Sequence, residues 1–254
     1  MTPIAQPIAR RVEHVMGMPI SLALRGRHAY DDMAEQAWRD ALAELRWVDE
    51  VFSTWRPDSQ VSRLGRGEVG LGECAPEVAE VLRLGDAARA SSDGAFDVCL
   101  PGPDGVRRLD PSGVVKGWAV DRAVRPLLAL PDTDVCLSAG GDMVCHVVDP
   151  AGEPWLIGIE HPLDPTRLVA QVPVHRGAVA TSGAAHRGTH VVDARSGAPA
   201  DALASVTVIG ADLTSVDIDA TTALALGLDG PHWLRSRLRT GVVVWADGRA
   251  ETVA

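Results

Sequence analysis

A chain of 254 residues with 46% hydrophobic and 23% charged side chains can bury a substantial core, and a formal charge of -10 leaves no basic field to gather nucleic-acid phosphates. No run approaches 18 consecutive apolar residues, which excludes a helical membrane span. Arg10-Arg11 is followed by Glu13, His14 and Pro19 rather than by an apolar segment, so the expectation is a cytoplasmic chain.

Residues 10–25 alternate and are rich in Val, Ile and Leu, which predicts a strand or hairpin interrupted at Gly17-Met18-Pro19. Trp38, Ala41, Leu42, Leu45, Val48 and Phe52 repeat at helical spacing behind Asp31 and Asp32, predicting a helix over 31–52. A second helix is expected from Ala75 to about Ala90, a short strand over 94–98, and turn-rich chain from Pro101 to Arg108. The next helix is expected to open at a Gly-containing turn around Lys116 and to run to about Leu130, where Pro131 stops it.

Strand-like runs then follow at 135–138, 143–148, 155–159, 168–173, 177–180, 189–193 and 204–209. A helix over about 215–228 and a shorter piece near 231–239 precede a final hairpin through Asp247-Gly248. No βα alternation recurs, so the expectation is an α+β fold, a mixed and largely antiparallel sheet with packed helices. Residues 1–254 would form one domain or two intimate lobes.

Cys74, Cys99, Cys136 and Cys145 form no CxxC pair, so they read as buried small hydrophobes rather than as a zinc or redox motif. The cation usage is lopsided: of 24 Lys plus Arg, Lys116 is the single lysine. A compact ammonium suits phosphate oxygens or a metal-bound substrate, where a planar guanidinium suits flat bidentate partners; one lysine surviving by chance is the alternative. Asp217 and Thr221 lie four apart on a predicted helix, placing two hard oxygen donors on one face. They equally suit a dipole-opposing acid and a back-bonded hydroxyl. His190, at the start of a predicted strand, is a candidate general base or a strand-edge histidine bonded to backbone. Ala139-Gly-Gly-Asp142 ends a strand in a diglycine that a ligand can approach, or is simply a tight turn. The P-loop, GxGxxG, SxxK and GxSxG patterns are all absent.

Taken together and in order, several segments resemble the FAD:protein FMN transferase, or ApbE, family. They are Met16-Gly17, Phe52-Ser-Thr-Trp-Arg-Pro-Asp-Ser-Gln-Val-Ser-Arg-Leu64, Gly94-Ala-Phe-Asp97, Leu109-Asp-Pro-Ser-Gly-Val-Val-Lys-Gly-Trp-Ala-Val-Asp121, Ala139-Gly-Gly-Asp142, Trp155-Leu-Ile-Gly-Ile-Glu-His-Pro162, Val179-Ala-Thr-Ser-Gly183, His190-Val-Val-Asp-Ala-Arg-Ser-Gly197, and Asp217 with Thr221. The resemblance implies transfer of FMN from FAD to a Thr or Ser hydroxyl of an acceptor protein, with Mg²⁺ and release of AMP. It implies metal ligands at Asp217, Thr221 and the carbonyl of Gly113, and catalytic roles for His190 and Lys116. It places Met16, Ser62, Asp97, Lys116, Gly140, Gly141, Thr181 and Ser182 around the FAD.

The sequence departs from the family in three places. Met-Gly-Met stands for the usual Met-Gly-Thr, the family Asn near Gly65 is missing, and 98–109 is much shorter than usual. The shortening keeps two other readings open, an FAD pyrophosphatase giving FMN and AMP, and a non-catalytic FAD-binding protein. The family's acceptor pattern, Asp then Ser/Thr-Gly-Ala-Ser/Thr, is absent from the chain, so the acceptor would be another protein.

Overall fold

The computed structural model describes residues 7–102, 104–183 and 191–254. The chain opens with β1 (Ala9–Val15) and β2 (Met18–Gly26), joined by a two-residue turn at Met16-Gly17. Both turn residues have positive φ, 55° and 71°, the conformation whose twist matches that of the flanking strands. The break in the alternation is therefore Met16-Gly17, while Met18 and Pro19 belong to β2.

α1 (Asp32–Phe52) begins where the Asp31 side chain accepts the N–H groups of Met33 and Ala34, and its apolar stripe from Ala34 to Phe52 is buried. α2 (Gln60–Gly65) and α3 (Pro76–Ser91) follow. The expected strand over 94–98 does not form. Gly94 has φ 80°, the Ser92 hydroxyl takes the Phe96 N–H and the Asp97 carboxylate takes the Cys99 N–H, so local side chains use donors that a strand ladder would need. The short segment after it is a small hairpin, β3 (Cys99–Pro101) with β4 (Arg107–Leu109). α4 (Ser112–Ala123) and α5 (Arg125–Leu128) come next. Lys116 thus lies inside α4, which begins at Ser112, about one turn before the expected start.

The rest of the chain is mostly sheet: β5 (Thr133–Ala139), β6 (Asp142–His146), β7 (Trp155–His161), β8 (Asp164–Val174), β9 (Arg176–Gly183) and β10 (Leu203–Gly210). α6 (Leu213–Ala225), α7 (Gly230–Ser236), β11 (Thr240–Trp245) and β12 (Ala250–Val253) complete it. Residues 191–193 of the expected 189–193 strand make only an isolated bridge, Val192 to Pro199, and 189–190 lie outside the described residues.

Eight strands form one sheet in the order β1-β2-β5-β6-β9-β10-β11-β12, and every described ladder is antiparallel. The α+β architecture is as expected, with an antiparallel rather than mixed sheet. β5 shows how the sheet is shared: Val135, Leu137 and Ala139 are buried on the helical face, while Cys136 and Ser138 point the other way. One face packs on α1, α4 and α6 and makes the main core; the other carries the β7–β8 hairpin on a smaller cluster of Ala23, Cys145, Val179, Trp155, Ile157 and Val174. Leu45, fully buried in the main core, would cost about 2–5 kcal/mol if cut to Ala.

Candidate functional site

α4 and α6 cross at close range because both contribute small or capping residues at the crossing. A side chain on Gly117 would begin 2.6 Å from the Leu213 carbonyl oxygen and 2.9 Å from Cβ of Asp217, so only glycine fits. One turn later Asp121 of α4 accepts the Leu213 N–H at 3.0 Å and the Thr214 N–H at 2.7 Å, capping α6 from outside while Asp212 caps it from within. This locks the register that sets Asp217 and Thr221 against Gly113 and Lys116. Oδ2 of Asp217 accepts the Gly117 N–H at 2.9 Å, a donor that an ideal helix would aim at the Gly113 carbonyl. That carbonyl has two lone pairs and keeps acceptor capacity, and Gly113 packs against Thr221, whose Cγ2 would lie 3.7 Å from a Cβ added at Gly113.

Two hairpin turns close in from the sheet. The β5–β6 turn, Gly140-Gly141, has φ of 59° and 101°, and the Gly140 N–H donates to the Pro19 carbonyl beside the Met16-Gly17 turn. Asp142, the first residue of β6, is fully buried; its Oδ1 accepts the Thr181 N–H at 2.8 Å and its carboxylate is ion-paired with Lys116. Nζ of Lys116 also lies 3.2 Å from Oδ1 of Asp217. The Thr221 hydroxyl is hydrogen-bonded to that of Ser182 at 2.8 Å.

Burial is the main influence on Asp217 and, with Asp142 nearby, pushes its pKa up to about 7 against the pull of Lys116. Burial also opposes the Lys116 ammonium, but the two carboxylates outweigh it and hold lysine charged well above its ordinary range. Two buried carboxylates sharing one ammonium leave excess negative charge in a poorly solvated place. A divalent cation bound by hard oxygens would neutralise it, so the Asp217 carboxylate, Thr221 hydroxyl and Gly113 carbonyl fit such an ion. Among the described residues no group of three or more His, Cys, Asp or Glu is placed to hold a metal.

All of this forms one wall of a cleft of about 1390 Å³, larger than the ~300–1,000 Å³ of an ordinary small-molecule pocket. Met16, Asp97, Gly113, Lys116, Gly140, Gly141, Thr181, Ser182, Asp217 and Thr221 all line it. Ser62 does not: its hydroxyl donates to the Ser53 carbonyl at 3.2 Å and supports the wall from behind. Asp97 reaches the cleft with its carboxylate already engaged, by the Cys99 N–H, Arg107 at 2.6 Å and Arg89 at 3.1 Å. His190 lies outside the described residues, between Gly183 and Val191, which both line the cleft.

Three residues of the site escape the sequence reading, Trp55 and Ser205 in the cleft lining and Asp142 buried behind it. Asp142 looks like an ordinary turn acid until its partner Lys116 is seen. Trp55 is 93% exposed on the lip, and Ser205 is buried with no hydrogen-bond partner for its hydroxyl among the described residues.

The ApbE family profile matches residues 16–103 and 101–244. The chain belongs to the ApbE family. Two curated proteins, the FAD:protein FMN transferases of Klebsiella pneumoniae and Salmonella typhimurium, are each 30% identical to it over 129 residues. Those matches cover 47% of this chain and only 37% of each relative. Among solved structures, the ApbE protein of Thermotoga maritima superposes with a TM-score of 0.82 at 20% identity, over 97% of both chains. The flavinyl transferase ApbE of Pseudomonas stutzeri gives 0.81 at 23% identity, over 100% of this chain and 97% of that one. At these identities the likeness to solved structures is one of fold.

Proposed function

We propose that this ApbE-family chain is a Mg²⁺-dependent enzyme that moves FMN from FAD onto a Thr or Ser hydroxyl of an acceptor protein. The observation that carries the reading is the Lys116–Asp142–Asp217 cluster, set beside the Thr221 hydroxyl and Gly113 carbonyl in a cleft large enough for a dinucleotide. In the reaction the acceptor oxygen bonds to the FMN phosphorus as the P–O bond to AMP breaks, and the hydroxyl proton passes to a base, the role proposed for His190. Such transfers need positioning and charge neutralisation more than covalent help.

Gly113, Asp217 and Thr221 would hold the Mg²⁺, which supplies neutralisation of the phosphate oxygens when bound. Lys116 adds a fixed positive charge and offsets the repulsion between the two carboxylates. Gly140 and Gly141 offer bare backbone for close approach of the ligand, with Met16, Asp97, Thr181 and Ser182 around it.

The test is incubation with FAD, Mg²⁺ and a candidate acceptor, reading AMP by chromatography and protein-bound flavin by mass. AMP in step with retained flavin supports transfer. Free FMN and AMP in equal amounts without acceptor would instead identify a pyrophosphatase, and full activity in Asp217→Ala would remove the site assignment.

A further inference from the structure

Cys136 and Cys145 stand directly opposite each other on β5 and β6, with sulfurs 3.7 Å apart. Directly opposed residues of an antiparallel pair have Cα atoms about 4.5–5.5 Å apart, within the span a disulfide bridges. The pair belongs to a row that crosses five strands, Arg10, Ala23, Cys136, Cys145 and Gly177. Its immediate sheet neighbours, Ala23 and Gly177, are small, so the sulfurs can close without displacing a bulky side chain. The row lies on the sheet face under the β7–β8 hairpin, away from the Lys116 cluster.

We propose that Cys136 and Cys145 are a redox-sensitive dithiol, which a hydroperoxide closes to a cross-strand disulfide that staples the β5–β6 hairpin. The hairpin matters because its turn supplies Gly140 and Gly141 to the cleft and leads into Asp142, the partner of Lys116.

The two thiols are unequal. Cys145 is buried and donates its S–H to Cys136, which is half-buried and reachable. That hydrogen bond, aided by the charges of Arg10 and Arg25, draws the Cys136 thiol below its ordinary pKa, whereas the contact and burial push Cys145 far above its own. Cys136 therefore attacks. Its thiolate takes the terminal oxygen of the hydroperoxide and becomes a sulfenic acid, with an alcohol or water leaving. The Cys145 sulfur then bonds to the Cys136 sulfur, and the sulfenic oxygen departs as water with the Cys145 proton. The peroxide gains the two electrons that the two thiols lose. Cys74 and Cys99 have no such partner among the described residues, and burial raises both pKa values.

The test uses the full-length Cys74→Ser/Cys99→Ser protein, treated with hydrogen peroxide and then alkylated in denaturant. Cleavage before aspartate separates the two cysteines at Asp142. The expected product is a linked pair of peptides, 134–141 with 142–148, two hydrogens lighter than their sum and separated by reduction. Oxidation should raise Tm by about 4 °C or more, since the bridge closes a short loop in the unfolded chain. The gain should vanish on reduction and never occur with Cys136→Ser added. Recovery of both cysteines as alkylated, unlinked peptides would overturn the proposal, as would over-oxidation of Cys136 without linkage, or an oxidised protein no more stable than the reduced one.

Discussion

Lys116 bridges two carboxylates from different parts of the chain, ion-paired with Asp142 at the β5–β6 turn and 3.2 Å from Oδ1 of Asp217 on α6. The lysine thereby ties the β5–β6 turn of the sheet to the helix layer within one wall of the cleft. Its side chain is only 21% exposed, so the ammonium works in a space fitted to a compact charge. Lys116→Arg keeps the charge but brings a planar, five-donor group that cannot sit between two carboxylates arriving from different directions. AMP formation from FAD should fall at least about tenfold, roughly 1.4 kcal/mol of transition-state stabilisation. Wild-type rates in this variant would show the ammonium to be incidental.

Gly117 holds the α4–α6 crossing together. Gly117→Ala gains up to about 1 kcal/mol of helix propensity, yet its methyl would start 2.6 Å from the Leu213 carbonyl oxygen, forcing two backbones apart. The expected net loss is about 1–3 kcal/mol, lowering Tm by roughly 3–10 °C, with activity lost as Asp217 shifts. Gly72→Ala, where an added Cβ meets nothing within 4 Å, should leave Tm unchanged. Equal melting temperatures for the two variants would contradict the close crossing.

Elements governed by local signals were legible in the sequence. The stripe from Trp38 to Phe52 with Asp31 ahead of it defined α1, and Asp247-Gly248 defined the β11–β12 hairpin. α2, six residues long, is too short for periodicity to mark. The 94–98 segment has strand-like composition, but Ser92 and Asp97 divert its N–H groups. In the site, Lys116 stood out as the single lysine and Asp217 with Thr221 by their helical spacing, while the resemblance added Gly113 and joined them into one site. What the sequence withheld was pairing: nothing local says that Asp142 faces Lys116, or that Cys136 faces Cys145, since both depend on register. The four cysteines read as buried hydrophobes, but only Cys145 is fully buried.

Trp55 stands 93% exposed at the cleft lip, an unusual setting for an indole without a ligand to cover it. Stacking between an aromatic side chain and a heterocyclic base is worth about 1–3 kcal/mol. Trp55→Ala should therefore weaken FAD binding by roughly 10–100-fold while leaving Tm within about 1 °C, because the side chain supports no core. Trp55→Tyr should restore most of the affinity. Calorimetric titration with FAD decides the matter, and unchanged affinity in the Ala variant would place the indole outside the binding surface.

Asp217 gives the protein a pH signature that tests the proposed metal site without any turnover. Chiefly through burial its folded pKa is raised to about 7 from an ordinary 3.8, so between these values the folded protein holds a proton that the unfolded chain has released. The resulting stability is fully present below about pH 4 and is lost as pH rises through about 7. A divalent cation binds the ionised form, so it must displace that proton at low pH and finds the site ready at high pH. The Tm gain on adding Mg²⁺ should accordingly be small at pH 5.5 and reach its plateau above about pH 8. Asp217→Asn keeps an acceptor for the Gly117 N–H but removes the titrating charge. It should flatten the fall in Tm between pH 4 and 7 and abolish the Mg²⁺ gain at pH 8. Thermal melts of both proteins with and without Mg²⁺ measure this directly. A Mg²⁺ gain of the same size at pH 5.5 and 8, or one that survives in Asp217→Asn, would move the cation site away from α6.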